Sequence, residues 1–581
     1  MIKLNKSKLM DLYKDMRGTF SIEDLNEIAL KAMALVILNV TSLLKTKEDI
    51  LKAIENAERE YPQAFTDGSR NVLSHLTEDT IFDLIYDLSE NQQKGLFTPE
   101  NKFEWVQYIF NLMNGTKYGY FAFDDSIYDF CNKLYSNVNH DEIYIPFENS
   151  FYHTLMFSQE QSVASEGVKT TPIPAILNII LGGIQYKQSD AITNPAYIKD
   201  GKLRLFSKGF LAEPWGMKVN INDQDNQRFS VKSNNLQNYL IQHLFQQVND
   251  FAIVIMPING LHSSVQSEEL MRQWLLEQGY LKAVISLPSG LSISTMTNSA
   301  LLIFDFSTKY ETVNFISLKD SEFVEKRNRE TKLTQLDKLI DIIDSNLAHK
   351  SSKKVDVKSI LNNSYILNPE RYVLDNSTQD ALNILQEYET KKLGDLVDIY
   401  RPIPVSKLKS DGSEMFFEIQ GGDIPEFGYI DTASKENYID NELMNILSPH
   451  LLQENDIIIT VRGSSGKVGI VSKELLNKYQ GKVIIGQANL ILRVKDPQNV
   501  NAIALLMQLR SELSQSRLQV LSSGAVLSGL SVKDLKEFLV ANFSLEKQKK
   551  LEENFQKQEI IKQQIIQQKQ QMQFLANDFW N

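Results

Sequence analysis

The sequence has one cysteine in 581 residues, Cys131. No disulfide can form within the chain, and no cysteine-based zinc cage can be built. Its simplest reading is a reduced, inert thiol packed in a helix. No apolar run reaches the ~18 residues that a membrane span requires. The N-terminal MIKLNKSKLMDLYKDMRG also lacks the apolar stretch of a signal peptide, so the protein is expected in the cytoplasm, away from membranes. Neither an ATPase nor a nuclease motif is visible, so cleavage of nucleic acid by this chain is not expected. His153 and His262 stand in no metal-ligand spacing and read as core or surface polar residues. A surplus of positive charge is missing as well: 61 Lys and Arg against 73 Asp and Glu leave a net charge of -12. That argues against non-specific coating of nucleic acid, which needs a broad basic surface, but leaves room for a local basic groove.

What is present is ordinary in bulk, with 42% hydrophobic and 23% charged residues. At ~150 residues per domain, the length implies three or four units. Residues 1–120 read as a helical domain. Ser21 can cap a helix, with Asp24 in place of the usual Glu, ahead of the helix-forming LNEIALKAMALVIL; KEDILKAIENAEREY and TIFDLIYDLSE follow. Over 121–330 the texture changes to the strand-like DEIYIPF, KLRLFSKGFLA, DFAIVIMPI, LKAVISLP and NSALLIFDF. The helix SEELMRQWLLEQGY among them is closed by Gly279. Such alternation predicts an α/β sheet with helices on its faces. Residues 331–390 read as a polar, mostly helical connector, and 391–543 as a β-rich unit punctuated by GGD, EFGYID, RGSSGKVG and SSGAVLSGLS. Residues 544–581 form a long polar helix. In it Leu551, Ile561, Ile565, Met572 and Leu575 share a heptad seam that Asn554, Gln558 and Gln568 thin out, a weak coiled-coil pattern. The predicted fold class is therefore multidomain, α/β and α+β.

The β-rich unit carries the most information. Lys392-Leu393-Gly394-Asp395-Leu396 opens it, followed in order by FEIQGGDIPEFGYID, NDIIITVRGSSGKVGIV, GQANLILRV and SSGAVLSGLSVKDLKEFLV, and then the long helix. This order closely resembles the target-recognition domain and spacer helix of type I restriction-modification specificity subunits, over roughly 190 residues. The residues make physical sense in that role. Arg462-Gly463-Ser464-Ser465-Gly466-Lys467 ends an apolar strand, and its glycines permit a tight turn presenting backbone N–H groups, two hydroxyls and two cations. Those groups suit phosphate oxygens, which fix register on a duplex. Gln420 and Gln487 have side chains able to pair with an adenine edge in the major groove. The plainer alternative is a hairpin turn with solvated charges. The resemblance implies double-stranded DNA as partner. One module reads one half-site, so the C-terminal helix would pair with a second copy or a related subunit; the alternative is that it folds back on its own body.

The preceding region resembles, in order, the modification subunit of the same systems, an S-adenosylmethionine-dependent methyltransferase acting on the exocyclic amine of adenine. LYKDMRGTFSIEDLNEIALKAMALVIL, DFAIVIMPINGLHSS, LKAVISLPSGLSISTMTNSALLIF and SYILNPERYV carry this resemblance. It implies a Rossmann-like methyltransferase fold, but both chemical motifs are degenerate. In Ile145-Pro146-Phe147-Glu148-Asn149-Ser150-Phe151 the family's cofactor loop keeps Pro146 and loses its acid and both glycines. Phe151 then stands where a glycine would let the backbone approach the cofactor, and Glu148 is the one residue left that could contact a hydroxyl. The family's catalytic loop is Asn-Pro-Pro followed by Phe or Tyr; the asparagine accepts from the target amine, and the aromatic stacks on a flipped base. Two segments compete for it. Asn194-Pro195-Ala196-Tyr197 keeps the asparagine and the aromatic but follows a polar stretch. Ala212-Glu213-Pro214-Trp215 follows a strand and is preferred, with alanine at the asparagine position and Trp215 either stacking or filling core. The expectation is thus a sequence-specific DNA-binding subunit of a restriction or anti-phage system with a pseudoenzyme body. No cofactor is expected, or S-adenosylmethionine if the alternative, an active adenine methyltransferase with a fused recognition domain, holds.

Overall fold

In this computed structural model every residue is described except 1–3, 5, 66–74, 76–77, 113–120, 137, 139–141, 222–226, 294, 320, 328–329, 345–348, 405–411, 413, 441–443, 523–528 and 578–581. The chain forms two units, Met1–Pro369 and Glu370–Asn581, and the break falls inside the expected connector.

The first unit opens with α1 (Ser7–Met16), α2 (Ile22–Leu38), α3 (Lys47–Glu60), α4 (Asp79–Gln93) and α5 (Pro99–Asn111). Ser21 caps α2 as its spacing requires: its hydroxyl accepts from the Asp24 N–H at 3.1 Å and donates to the Asp24 carboxylate at 2.6 Å. Thr46 and Asp49 repeat the device at α3, which the sequence reading passed over. Every residue from Ile28 to Val36 is buried, so α2 is apolar all round and forms the spine of the helical layer. Even Lys31 is buried there, its ammonium 2.8 Å from Glu27.

After α6 (Asp125–Tyr135), which buries Cys131, the chain builds a nine-stranded sheet. Its strands are β1 (Ile143–Ile145), β2 (Val163–Gly167), β3 (Ile184–Gln188), β4 (Phe206–Leu211), β5 (Val248–Pro257), β6 (Leu281–Leu287), β7 (Ser299–Asp305), β8 (Thr312–Ser317) and β9 (Ser352–Asp356). The spatial order is β3-β2-β1-β4-β5-β7-β6-β8-β9. The strands from β3 to β5 are parallel, β7 runs antiparallel between β5 and β6, and β9 is an antiparallel edge. The helices between its strands include α7 (Tyr152–Phe157), α8 (Ile173–Leu181), α9 (Leu236–Gln247) and α10 (Gln266–Gln278), and α10 is closed by Gly279 at φ 73°. The central strands are continuous apolar runs because helices cover both faces. Only Phe206–Leu211 of KLRLFSKGFLA enters the sheet; Lys202–Leu203 pairs with Ile198–Lys199 in a separate hairpin. The connector, expected to be mostly helical, holds helices Leu336–Asp344, Val357–Asn362 and Asn376–Gln386, and alongside them the strand β9. It is short, exposed and lysine-bearing, the form a sheet edge takes, and so has no apolar signature to read. One apolar core runs from Leu4 to Ile343 through helices and sheet alike.

The second unit holds β10 (Thr390–Lys392), β11 (Val397–Tyr400), β12 (Glu414–Ile419), β13 (Lys435–Ile439), β14 (Ile457–Thr460), β15 (Val468–Ile470), β16 (Val483–Ile485), β17 (Asn489–Val494) and β18 (Leu539–Ala541). They form a four-stranded sheet β11-β17-β14-β15, a three-stranded sheet β13-β12-β16 and the pair β10-β18. Alternation along β14 explains the layering: Ile457 and Ile459 join one apolar cluster, while Ile458 joins another with Ile419 and Ile485. Within this stretch, expected to be β-rich, AIALLMQLR is instead α11 (Ala502–Arg510), capped by Asn501, and α12 (Glu512–Ser522) follows it. Part of SSGAVLSGLS, residues 523–528, lies outside the described residues.

The last helix, α13 (Leu545–Asn577), begins packed on its own unit. Phe555 is buried against Tyr429 at 4.9 Å between ring centroids, Asn501 donates to Glu552 at 2.9 Å, and Lys562 donates to the Tyr429 carbonyl at 2.9 Å. Its anchor is thus Phe555, which is off the expected seam. The seam residues Ile561, Ile565, Met572 and Leu575 are exposed, as is every residue from Gln563 to Asn577. Among the described residues, no helix is long and apolar enough to cross a membrane, and no cluster of three or more His, Cys, Asp or Glu could hold a metal ion.

Candidate functional site

In a sheet ordered β3-β2-β1-β4-β5, successive crossovers leave in opposite directions from β1, and a crevice opens at the carboxyl ends of β1 and β4. Residues 146–151 follow β1 and residues 212–215 follow β4, so the preferred loop pair meets at this switch point.

The β1 loop is closed by its own side chains. Phe151 takes left-handed backbone (φ 61°), unusual for a bulky residue, and its buried ring lies edge-on to Tyr186 at 5.1 Å. Glu148 is fully buried and turned back on the loop: it accepts from Phe151 N at 2.7 Å, Thr154 N at 3.0 Å and the Thr154 hydroxyl at 2.8 Å. Its carboxylate therefore fastens the start of α7. Pro146 is buried at the strand exit.

Across the crevice Ala212, Glu213 and Pro214 are buried and Trp215 half-buried. Ser150 donates to Glu213 at 3.4 Å, and His153 Nε2 lies 3.6 Å from the same carboxylate. The other ring nitrogen of His153 is 2.8 Å from the Tyr128 hydroxyl. Burial raises the Glu213 carboxyl above its ordinary range, against the opposing pull of His153. Trp215 packs edge-on to Phe121 at 4.6 Å and directs its Nε1 at the Ile255 carbonyl at 3.4 Å. Ala212 has no side-chain acceptor.

The competing segment lies elsewhere, between β3 and the 198–203 hairpin. Asn194 N donates to Asp190 O at 2.8 Å. Tyr197 is buried, its hydroxyl donating to Ser165 O at 3.1 Å and its ring edge-on to Phe206 at 5.4 Å. Pro195 stands in the same turn, whose Ala196 N–H donates to Glu166 at 2.8 Å. Glu166 is a residue the sequence reading missed. It stands at the end of β2, where nucleotide-binding α/β folds hold a ribose hydroxyl with an acid. VASEG has too little apolar character to read as a strand, so its acid carried no positional meaning. Glu166 is buried, accepting from the Tyr144 hydroxyl as well as Ala196 N. His243 stands 2.8 Å from that hydroxyl and contacts Arg228 on its other nitrogen; burial first, and Arg228 second, push its pKa down to about 3.

In the second unit the sequence-predicted recognition residues come together. Arg462–Lys467 joins β14 to β15, with Gly463 and Gly466 at φ 75° and 93°, where side chains are strained. Thr460 N to Lys467 O and Gly466 N to Thr460 O, both 2.8 Å, close the turn. Val461 N donates to Ala488 O at 2.7 Å, and Gly486 N donates to Ile419 O at 2.9 Å. The ends of β12, β14 and β16 are thereby laced into one rim carrying Gln420, Arg462–Lys467 and Gln487. Arg462, Ser464, Lys467 and Gln487 are exposed, while Ser465 and Gln420 are half-buried. Gln487 donates to Ile403 O at 2.6 Å and Gln420 to Glu418 at 2.7 Å. Two supports come from distant sequence and had no local signal. Gln515 donates to Gly466 O at 3.0 Å. Arg510 donates to the carbonyls of Val468, Pro425 and Gly428 at 3.0, 3.3 and 3.0 Å, and burial lowers its pKa to about 10.

The raised Glu213 carboxyl has a pH consequence. Protonation is favoured in the folded state, so this group's contribution to stability is full below its unfolded pKa and is lost as pH rises through the raised folded value. Glu213→Gln, which stays neutral, is expected to melt at higher temperature than the parent at pH 7–8, with the gap closing as pH falls below about 4.5. Thermal melts across that range check it, and a gap that does not change with pH would count against a strained carboxylate.

Residues 147–381 match the N-6 DNA methylase family. The methylase subunit of the type I restriction enzyme MpnII of Mycoplasma pneumoniae is 28% identical over 145 residues, 24% of this chain and 26% of that protein, so the alignment spans about a quarter of this curated relative. The type I restriction-modification methyltransferase subunit from Streptococcus thermophilus is similar in fold, with TM-score 0.52 and 13% identity, covering 63% of this chain and 98% of its own. The type IIG restriction endonuclease BpuSI covers 96% of this chain and 75% of its own at 12% identity, but its TM-score of 0.48 is too low to support a shared fold. The large sheet, the family match over residues 147–381 and the Streptococcus fold agree: this stretch is similar to type I restriction-modification methyltransferase subunits and has a Rossmann-like methyltransferase fold.

Proposed function

We propose that this chain binds double-stranded DNA at a defined sequence as a subunit of a type I-like restriction-modification or anti-phage system, and that its methyltransferase-like body does not transfer methyl groups. The observation that carries the reading is the convergence of Gln420, Arg462–Lys467 and Gln487 on one rim of the second unit. Exposed Arg462 and Lys467 flank a turn whose glycines keep bulk away, an arrangement suited to phosphate oxygens. Exposed or half-exposed amides on the same rim are suited to base edges. A local rim of this kind is compatible with a net charge of -12.

The body's residues do not fit S-adenosylmethionine. Phe151 fills the position that the cofactor's backbone approach needs, and Glu148 and Glu166 are each spent on hydrogen bonds within the chain. Ala212 offers no acceptor to a target amine. The exposed end of α13 is proposed to pair with a second copy or a related subunit through Ile561, Ile565, Met572 and Leu575. At ~1.5 Å per residue, such a helix would also space two half-sites.

Three measurements test this. In anisotropy titrations across salt concentrations, Arg462→Ala with Lys467→Ala should weaken binding to every duplex and flatten the slope of log K against log salt by about 2; an unchanged slope would remove the loop from the interface. Calorimetric titration of the full chain with S-adenosylmethionine should give no binding heat, whereas saturable binding would favour an active adenine methyltransferase. Sedimentation of the parent should show a dimer that Ile565→Glu with Met572→Glu splits into monomers. A parent that sediments as a monomer alone and with its companion subunits sinks the pairing.

A further inference from the structure

One buried carboxylate sits directly beneath the rim. Glu418, in β12, is 1% exposed and receives three donors: Gln420 Nε2 at 2.7 Å, Lys435 Nζ at 2.9 Å and Asn437 Nδ2 at 3.3 Å. Lys435 and Asn437 come from the neighbouring strand β13, where Lys435 lies opposite Glu418 itself. The third wall is Gly486, at the end of β16: a Cβ there would stand 2.8 Å from Gln420 Nε2 and 2.9 Å from Glu418 Oε1. Glycine at 486 is thus what admits the Glu418–Gln420 pair. The turn around Gln420 is fixed independently, because its backbone N–H donates to Asp423 at 2.8 Å, and Asp423 also accepts from Ser434 N at 3.0 Å.

We propose, on the reading that this rim contacts duplex DNA, that Glu418 is a positioning residue that sets which base Gln420 accepts. A carboxylate only accepts hydrogen bonds, while the two ends of a glutamine amide differ, one donating twice and the other accepting. Glu418 binds the NH2 end, and a flipped amide would set two acceptors against each other. One Nε2 hydrogen is then committed inward, and Gln420 is left with one N–H and one carbonyl in a fixed order. Adenine presents that complement in the major groove, an acceptor at N7 beside a donor at N6. Guanine presents two acceptors, which an amide with one remaining N–H cannot satisfy. Glu418 therefore favours adenine and disfavours guanine at one position without touching the DNA.

The test is selection of bound duplexes from a random pool by the full-length parent, Glu418→Gln and Gln420→Ala. The parent should enrich a defined sequence with adenine at one position. Both variants should lose about ten-fold or more of the adenine-over-guanine preference at that same base pair and keep the preferences elsewhere. Retention of the preference by Glu418→Gln when Gln420→Ala loses it would overturn the proposal and leave DNA reading intact. So would a uniform loss of affinity at every position, the result expected of a residue that only holds the fold. A parent that enriches no sequence fails the DNA reading itself, and the proposal with it.

Discussion

The reversal of strand order between β1 and β4 is the constraint on which the first unit turns. A parallel sheet that winds outward in both directions from β1 must leave its strand ends uncovered there, and something has to occupy the opening. Side chains of the two loops meet at it. Phe151, Glu148, Ser150, His153 and Glu213 interlock across the gap, and every hydrogen bond described for the two loop carboxylates stays within the body. Phe151 carries backbone strain at φ 61°, and its ring packs on Tyr186.

The second unit solves a different problem. Three turns that stand far apart in the chain must hold still relative to one another if they are to act as one surface. Backbone bonds lace them, and polar side chains brace them from behind: half-buried Arg510 on three carbonyls, half-buried Gln515 on Gly466 and buried Glu418 on Gln420. Arg493 and Asp456 add a bidentate pair, both bonds 2.7 Å, linking β17 to the start of β14. Each brace would be expensive to bury unpaired, so geometry at the rim is fixed by satisfaction of polar groups beneath it. α13 behaves differently along its length, because its first half buries Phe555 and its second half buries nothing.

The amino-acid sequence by itself determined the local features. Capping by Ser21, the closure of α10 at Gly279, the apolar strands β4 to β7, the glycine turn after β14 and the extent of the last helix follow from spacing and propensity between near neighbours, which act over a few residues. It also carried the resemblance to type I modification subunits, since ordered motifs survive in the one-dimensional record. Tertiary structure alone decided the rest. β9 and the strand bearing Glu166 have polar, edge-like sequences and exist because a neighbouring strand offers them partners. The packing of the first half of α13 left no local signal, because Phe555 finds Tyr429, a partner more than a hundred residues away. Glu418, Arg510 and Gln515 act on backbone or side chains brought near them only by folding, and a hydrogen bond between distant segments leaves no periodicity to read.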